Sequence, residues 1–124
     1  IFNGLHSGNG ADSSLKLTDG GMWEDFVYDC NTGAYKGVGN WWNAITCMQN
    51  NRDIAKLILA VKKPGLVSND TARIFAVASY FLVANENILL TLSDYSHNNT
   101  IQYYPEYDID LGEPKADYQM LSDT

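Results

Sequence analysis

Ala55-Lys56-Leu57-Ile58-Leu59-Ala60-Val61 is a continuous apolar run broken only by Lys56. A strand with one wet face alternates polar and apolar residues; a run without alternation suits a strand buried on both faces, as in a parallel sheet. Pro64-Gly65 ends the run with turn chemistry. Beyond it, Asn69 or Asp70 caps a helix expected from Thr71 to about Ala84, dense in apolar positions (Ile74, Phe75, Val77, Ala78, Phe81, Leu82). Ile88 to Leu92 reads as the next buried strand. Upstream, Trp41, Trp42, Ile45 and Met48 fall at helical spacing, predicting a helix over Trp41–Asp53 with Asn40 as N-cap. Gly21 to Tyr28 is a further strand, and Ile1 to Leu5 suits a strand end.

Between these elements lie polar loops rich in Gly, Ser, Asn and Asp: His6 to Asp19, Asp29 to Asn40 and Ser93 to Thr100. Ile101 to Asp110 reads as extended and aromatic. Leu111 to Leu121 is expected to start a last helix, interrupted at Pro114. Strands alternating with helices imply an α/β protein with a parallel sheet and helices outside it. About four β/α units are visible in 124 residues. A complete (β/α)₈ TIM barrel takes about 250 residues. The expected fold is therefore about half of such an α/β TIM barrel, with the functional loops at the C-terminal ends of its strands.

The totals bound the function. Eight basic against 15 acidic residues give a net charge of −7. This argues against nucleic acid, whose phosphates call for clustered Lys and Arg. The longest apolar stretch, Ile74 to Ala84, carries Ser79 and Tyr80 and is too short for a membrane span. Two cysteines, Cys30 and Cys47, are too few for a disulfide scaffold; they read as paired with each other or as buried thiols. His6 and His97 are isolated. No Cys/His cluster suggests zinc, and no phosphate-binding loop, dinucleotide fingerprint or nucleophile elbow is present, so no cofactor or metal is expected.

What remains is carboxylate and aromatic chemistry. In Gly20-Gly21-Met22-Trp23-Glu24-Asp25-Phe26-Val27-Tyr28, the acid Glu24 stands beside Trp23 near a strand end. Glycoside hydrolysis uses two carboxyl groups, one a proton donor and the other a base or nucleophile; an apolar setting raises a carboxyl's pKa toward the first role. The plainer reading of Glu24 is a surface acid at a strand end. By alternation, Glu24 and Asp25 are expected on opposite faces. Asp94 follows the strand Ile88–Leu92 in front of Tyr95, where barrel logic places functional residues. A turn-forming Asp is the commoner role there. A second dense stretch is Tyr103-Tyr104-Pro105-Glu106-Tyr107-Asp108-Ile109-Asp110-Leu111-Gly112-Glu113-Pro114. Tyr rings can stack on sugars and carboxylates can bind hydroxyls, but a structural segment across the barrel end is at least as good a reading. The spacing of its acids is not that of a calcium-binding loop. Trp41-Trp42 at helical spacing is more often core than sugar platform.

The strand Asp19–Phe26 and the segment Tyr103–Pro114 together resemble glycosyl hydrolases of TIM-barrel type, closest to hypothetical glycosyl hydrolase family fifteen. The likeness spans Gly20 to about Leu121, and the tyrosine/proline/acid/Leu-Gly segment is its more specific part. It implies that the chain is the carboxy-terminal half of a (β/α)₈ TIM barrel, a fragment of a larger catalytic domain acting on an oligo- or polysaccharide, with the amino-terminal half of the same barrel as partner. The resemblance places a catalytic acid at Glu24 and leaves Asp94, or an acid on a missing strand, as second carboxyl. Trp23, Tyr95, Tyr103, Tyr104 and Glu106 are the expected substrate contacts. Two competing readings are a non-catalytic sugar-binding or structural barrel, and a complete doubly wound domain binding a small ligand at its strand ends.

Overall fold

In the computed structural model the protein is mixed α/β. It describes residues 2–5, 11–29, 32, 34–51, 57–62, 70–92, 103–113, 115, 116, 118, 119 and 121. Four strands form one sheet: β1 (Phe2–Asn3), β2 (Gly20–Glu24), β5 (Leu57–Lys62) and β6 (Ile88–Leu92). Their order is β1-β2-β5-β6 and every neighbouring pair is parallel. Glu24 pairs with Val61 and Val61 with Thr91, so the ends of β2, β5 and β6 lie level at one edge of the sheet. A small antiparallel hairpin, β3 (Tyr28–Asp29) with β4 (Ala34–Tyr35), follows β2.

The connections between the parallel strands are helical. α1 (Ala11–Lys16) joins β1 to β2, α2 (Val38–Asn51) lies between the hairpin and β5, and α3 (Asp70–Phe81) lies between β5 and β6. The described part of the long apolar run forms the β5 strand, which extends one residue past the expected end at Val61; Ala55 and Lys56 lie outside the described residues. The parallel pairing of β5 with β6 follows the sequence expectation.

Three corrections concern boundaries. The polar stretch His6–Asp19 contains α1, because Leu15 is fully buried and anchors a short helix in a sequence of weak propensity. Strand β2 stops at Glu24, since Asp25 adopts the left-handed conformation (φ 56°) and turns the chain. α2 begins at Val38: the Gly37 carbonyl accepts from Asn40 N (2.9 Å) and Trp41 N (3.1 Å), so Asn40 sits inside the first turn instead of capping it. The expected helix over Leu111–Leu121 is absent among its described residues. Gly112, at φ 69°, is incompatible with one there, while Pro105–Asp108 forms a single 3-10 turn.

The core lies between the sheet and its helices. Phe26, Val27, Leu15, Ala44, Ile45, Ala72, Ala76 and Ile88 are fully buried. Each large apolar side chain taken wholly out of water contributes about 1.5–3 kcal/mol. α3 buries its small residues, Ala72, Ala76 and Ser79, which lets the helix approach closely. Its larger Ile74 and Phe81 point outward. Trp41 Nε1 donates to Ser79 Oγ (3.0 Å), tying α2 to α3. After α3, Asn85 Oδ1 accepts from the backbone N–H of Asn87 (2.9 Å) and Ile88 (3.0 Å), turning the chain into β6. Cys47 is half-buried with its sulfur 3.8 Å from Asn51 Nδ2; Cys30 lies outside the described residues.

Candidate functional site

β2 carries Glu24 to the C-terminal edge of the sheet for a simple packing reason. Gly21 leaves no side chain where Leu5 and Leu15 need to sit: an added Cβ would lie 2.6 Å from Leu5 Cγ and 3.1 Å from Leu15 Cδ2. The strand is further pinned by Met22 O, which accepts from Leu5 N (3.0 Å) and Gly4 N (3.3 Å). Glu24 Oε1 accepts from Asn3 Nδ2 at 3.4 Å, across from β1.

Glu24 opens into a cavity of about 530 Å³ at the ends of β1 and β2. The hairpin and the start of α2 form its other wall. Asp25, Asp29, Tyr35, Lys36 and Asn40 contribute, with Trp23 and Leu5 beneath. The hairpin is held by Lys36 N donating to Val27 O (3.1 Å), and its turn by Thr32 N donating to Asp29 Oδ1 (3.2 Å). Tyr35 is 47% exposed, with its ring centroid 4.0 Å from Tyr28 and 5.1 Å from Phe75. Burial, reinforced by Tyr35, pushes the Tyr28 hydroxyl well above the usual tyrosine range.

The expectation that Glu24 and Asp25 face opposite ways fails for a local reason. Asp25 has left the strand, and both acids border the same cavity. Three carboxyl groups, one ammonium and an amide therefore line one polar concavity. Among the described residues, no three His, Cys, Asp or Glu side chains gather as a metal-ligand group. No helix among them is long and apolar enough to cross a membrane.

The second acid-and-aromatic segment does something else. Glu106 is 8% exposed, and its Oε1 accepts from Arg73 Nε (3.2 Å) and Nη2 (3.0 Å). The same guanidinium reaches Asp70 Oδ1 (2.6 Å) and lies 4.9 Å over the Tyr104 ring. The Arg73 hydrogen bonds hold the Glu106 carboxyl below the usual range, and Glu106 in turn holds the Arg73 guanidinium above its own. Tyr107 OH accepts from Leu92 N (3.2 Å), closing the end of β6, and burial raises its pKa. Tyr103 is 64% exposed, and its hydroxyl donates to Asp108, which raises its pKa. This segment fastens the chain across α3 and β6.

The sequence-derived residues thus separate. Glu24 and Trp23 meet at the cavity, although Trp23 is 3% exposed and offers its ring to the core. Glu106 and Tyr104 belong to the Arg73 clamp, and Tyr103 neighbours it. Asp94 and Tyr95 lie outside the described residues. Sequence reasoning passed over Asp29, Tyr35 and Lys36, which sat in a stretch read as loop, and Arg73. A signal for Arg73 was present: it is the single charged residue in the otherwise uncharged stretch Thr71–Ala84.

The arrangement defines an α/β protein with parallel strands in chain order and an acid-lined cavity at their C-terminal ends. Residues 2–124 match the profile of hypothetical glycosyl hydrolase family 15, and the chain belongs to that family. No curated protein and no solved structure matches the chain.

Proposed function

We propose that the chain is the carboxy-terminal half of a (β/α)₈ barrel that hydrolyses glycosidic bonds by carboxylate catalysis, with Glu24 as one of the two carboxyl groups. The observation that carries this reading is Glu24 at the end of β2, in the cavity it shares with Asp25 and Asp29. The family name points the same way. The strand order supports a barrel: a doubly wound sheet reverses its order at the ligand crevice, whereas these four strands follow chain order without reversal. The amino-terminal half of the barrel is then the natural partner of the β1 and β6 edges.

Asp94 is the proposed second carboxyl, two residues past the end of β6. In this mechanism one carboxyl protonates the departing glycosidic oxygen as the anomeric C–O bond breaks. The other activates the water, or forms the glycosyl ester that water then opens. Trp23 keeps bulk solvent from beneath Glu24, and Asn3 holds the Glu24 carboxyl toward β1.

The test is Glu24→Gln in the full-length protein, assayed on an oligosaccharide that the wild type cleaves. Turnover should fall while folding and sugar affinity persist. Unchanged turnover would remove Glu24 from the mechanism and shift attention to Asp29 and Asp94.

A further inference from the structure

We propose that Tyr35 is the aromatic platform on which the substrate ring lies in the Glu24 cavity, and that the ring it takes is a neutral or amino sugar, not a uronate. This rests on the carbohydrate reading of the cavity and names its substrate class. Sugar rings have apolar C–H faces and a polar hydroxyl rim, so a sugar site needs one exposed aromatic wall facing polar side chains. The other aromatic beside Glu24 does not supply that wall: Trp23 is 3% exposed. Tyr103 and Tyr104 belong to the segment beside Arg73, away from the cavity lining.

Tyr35 has the required placement. It lines the same cavity as Glu24 and keeps 47% of its surface open. It is also held in advance. Tyr28 lies against it at 4.0 Å and Phe75 meets it edge-on at 5.1 Å (interplanar 88°). The hairpin register opposes Tyr28 to Tyr35, and Lys36 N on Val27 O closes the ladder. A ring fixed before binding loses little side-chain freedom when a sugar arrives.

Charge sets the class. Glu24, Asp25 and Asp29 contribute three carboxyl groups to the cavity against one ammonium from Lys36. A uronate would bring a fourth carboxylate into this field, and like charges at close range disfavour the complex. Hydroxyl and amino groups meet the opposite situation, since carboxylates accept from both.

The experiment uses the full-length protein in a Glu24→Gln background, so that bound sugar is not consumed. The probes are cello-oligosaccharides, malto-oligosaccharides, chito-oligosaccharides and oligogalacturonate, titrated by calorimetry. A neutral or amino oligomer should bind best. Adding Tyr35→Ala or Tyr35→Leu should weaken that binding about tenfold, while Tyr35→Phe should stay within about twofold. Tyr35→Leu keeps apolar bulk against Tyr28 and Phe75, so it separates stacking from hairpin collapse, with a thermal melt as the folding control. Equal affinity in folded Tyr35→Leu would overturn the proposal, as would a preference for oligogalacturonate or no binding to any probe. The underlying glycosidase reading fails separately. If sugar binds through Tyr35 but Glu24-intact protein never cleaves it, Tyr35 stands and catalysis falls. If cleavage depends on Glu24 but Tyr35→Leu leaves KM unchanged, catalysis stands and Tyr35 falls.

Discussion

The Glu24 cavity and the Arg73 clamp are built from the same materials, acids beside aromatic rings, and they end in opposite states. At the cavity, Asp25, Asp29 and Lys36 stand with Glu24 around open space of about 530 Å³. At the clamp, Glu106 is 8% exposed and its Oε1 is committed to Arg73 from two nitrogens. The difference is placement: Glu106 is buried against a guanidinium and a tyrosine ring, whereas Glu24 borders open space. A guanidinium on α3 lies within reach of Glu106 and Tyr104 together, and it converts a carboxylate into a fastening. Around Glu24 the side chains surround a concavity large enough for a sugar unit. Residue type alone does not separate the two regions; burial and packing around each acid do.

The largest effect expected from this contrast is catalytic. Glu24→Gln should lower kcat by about 10²–10⁴, the usual contribution of a positioned acid or base, with little change in the melting temperature. Glu106→Gln should leave kcat far less affected and lower stability instead. If the two variants exchanged these signatures, the division between cavity and clamp would collapse.

Arg73→Met sharpens the same point. It strands the Glu106 carboxylate in a buried setting, and a loss of about 2–3 kcal/mol is expected by urea denaturation. The pH dependence has a definite sign. The folded Glu106 carboxyl is held below its ordinary value of 4.5, so its contribution to stability is present above that value and is lost as pH falls through it and below. Wild type should therefore weaken on the acid side of about pH 4.5. Arg73→Met should flatten that limb; an identical acid limb in both would show that the pair is not its source.

Gly21→Ala tests the support of Glu24 from beneath the cavity, through Leu5. The new methyl collides with Leu5, and overpacking of this kind costs about 1–3 kcal/mol. A thermal melt reads the cost, and a fall in turnover beyond it would mean that the strand's seating also sets Glu24. The smallest effect belongs to Tyr107→Phe. It removes the acceptor for Leu92 N and should cost about 1 kcal/mol, with faster hydrogen exchange confined to the end of β6. Faster exchange in β2 instead would mean that the clamp reaches the cavity after all.

Much of the architecture is legible in the chain because it depends on local pattern. The run without alternation, Ala55 to Val61, reads as a strand of a parallel sheet, and its described part is β5, paired in parallel with β2 and β6. The helices α2 and α3 follow apolar spacing, and Ile88–Leu92 is a strand with the expected limits. Glu24 at a strand end is likewise a matter of local order. Tertiary structure decided the rest, because the deciding contacts join residues far apart in the chain. Leu15 makes a helix of a polar stretch by burying itself against β2. Asp25, turned through a left-handed residue, comes to the same cavity as Glu24. The hairpin folds Tyr35 and Lys36 over it. Glu106 meets Arg73 across 33 positions of sequence, and that meeting, which no spacing rule anticipates, draws Glu106 into the framework.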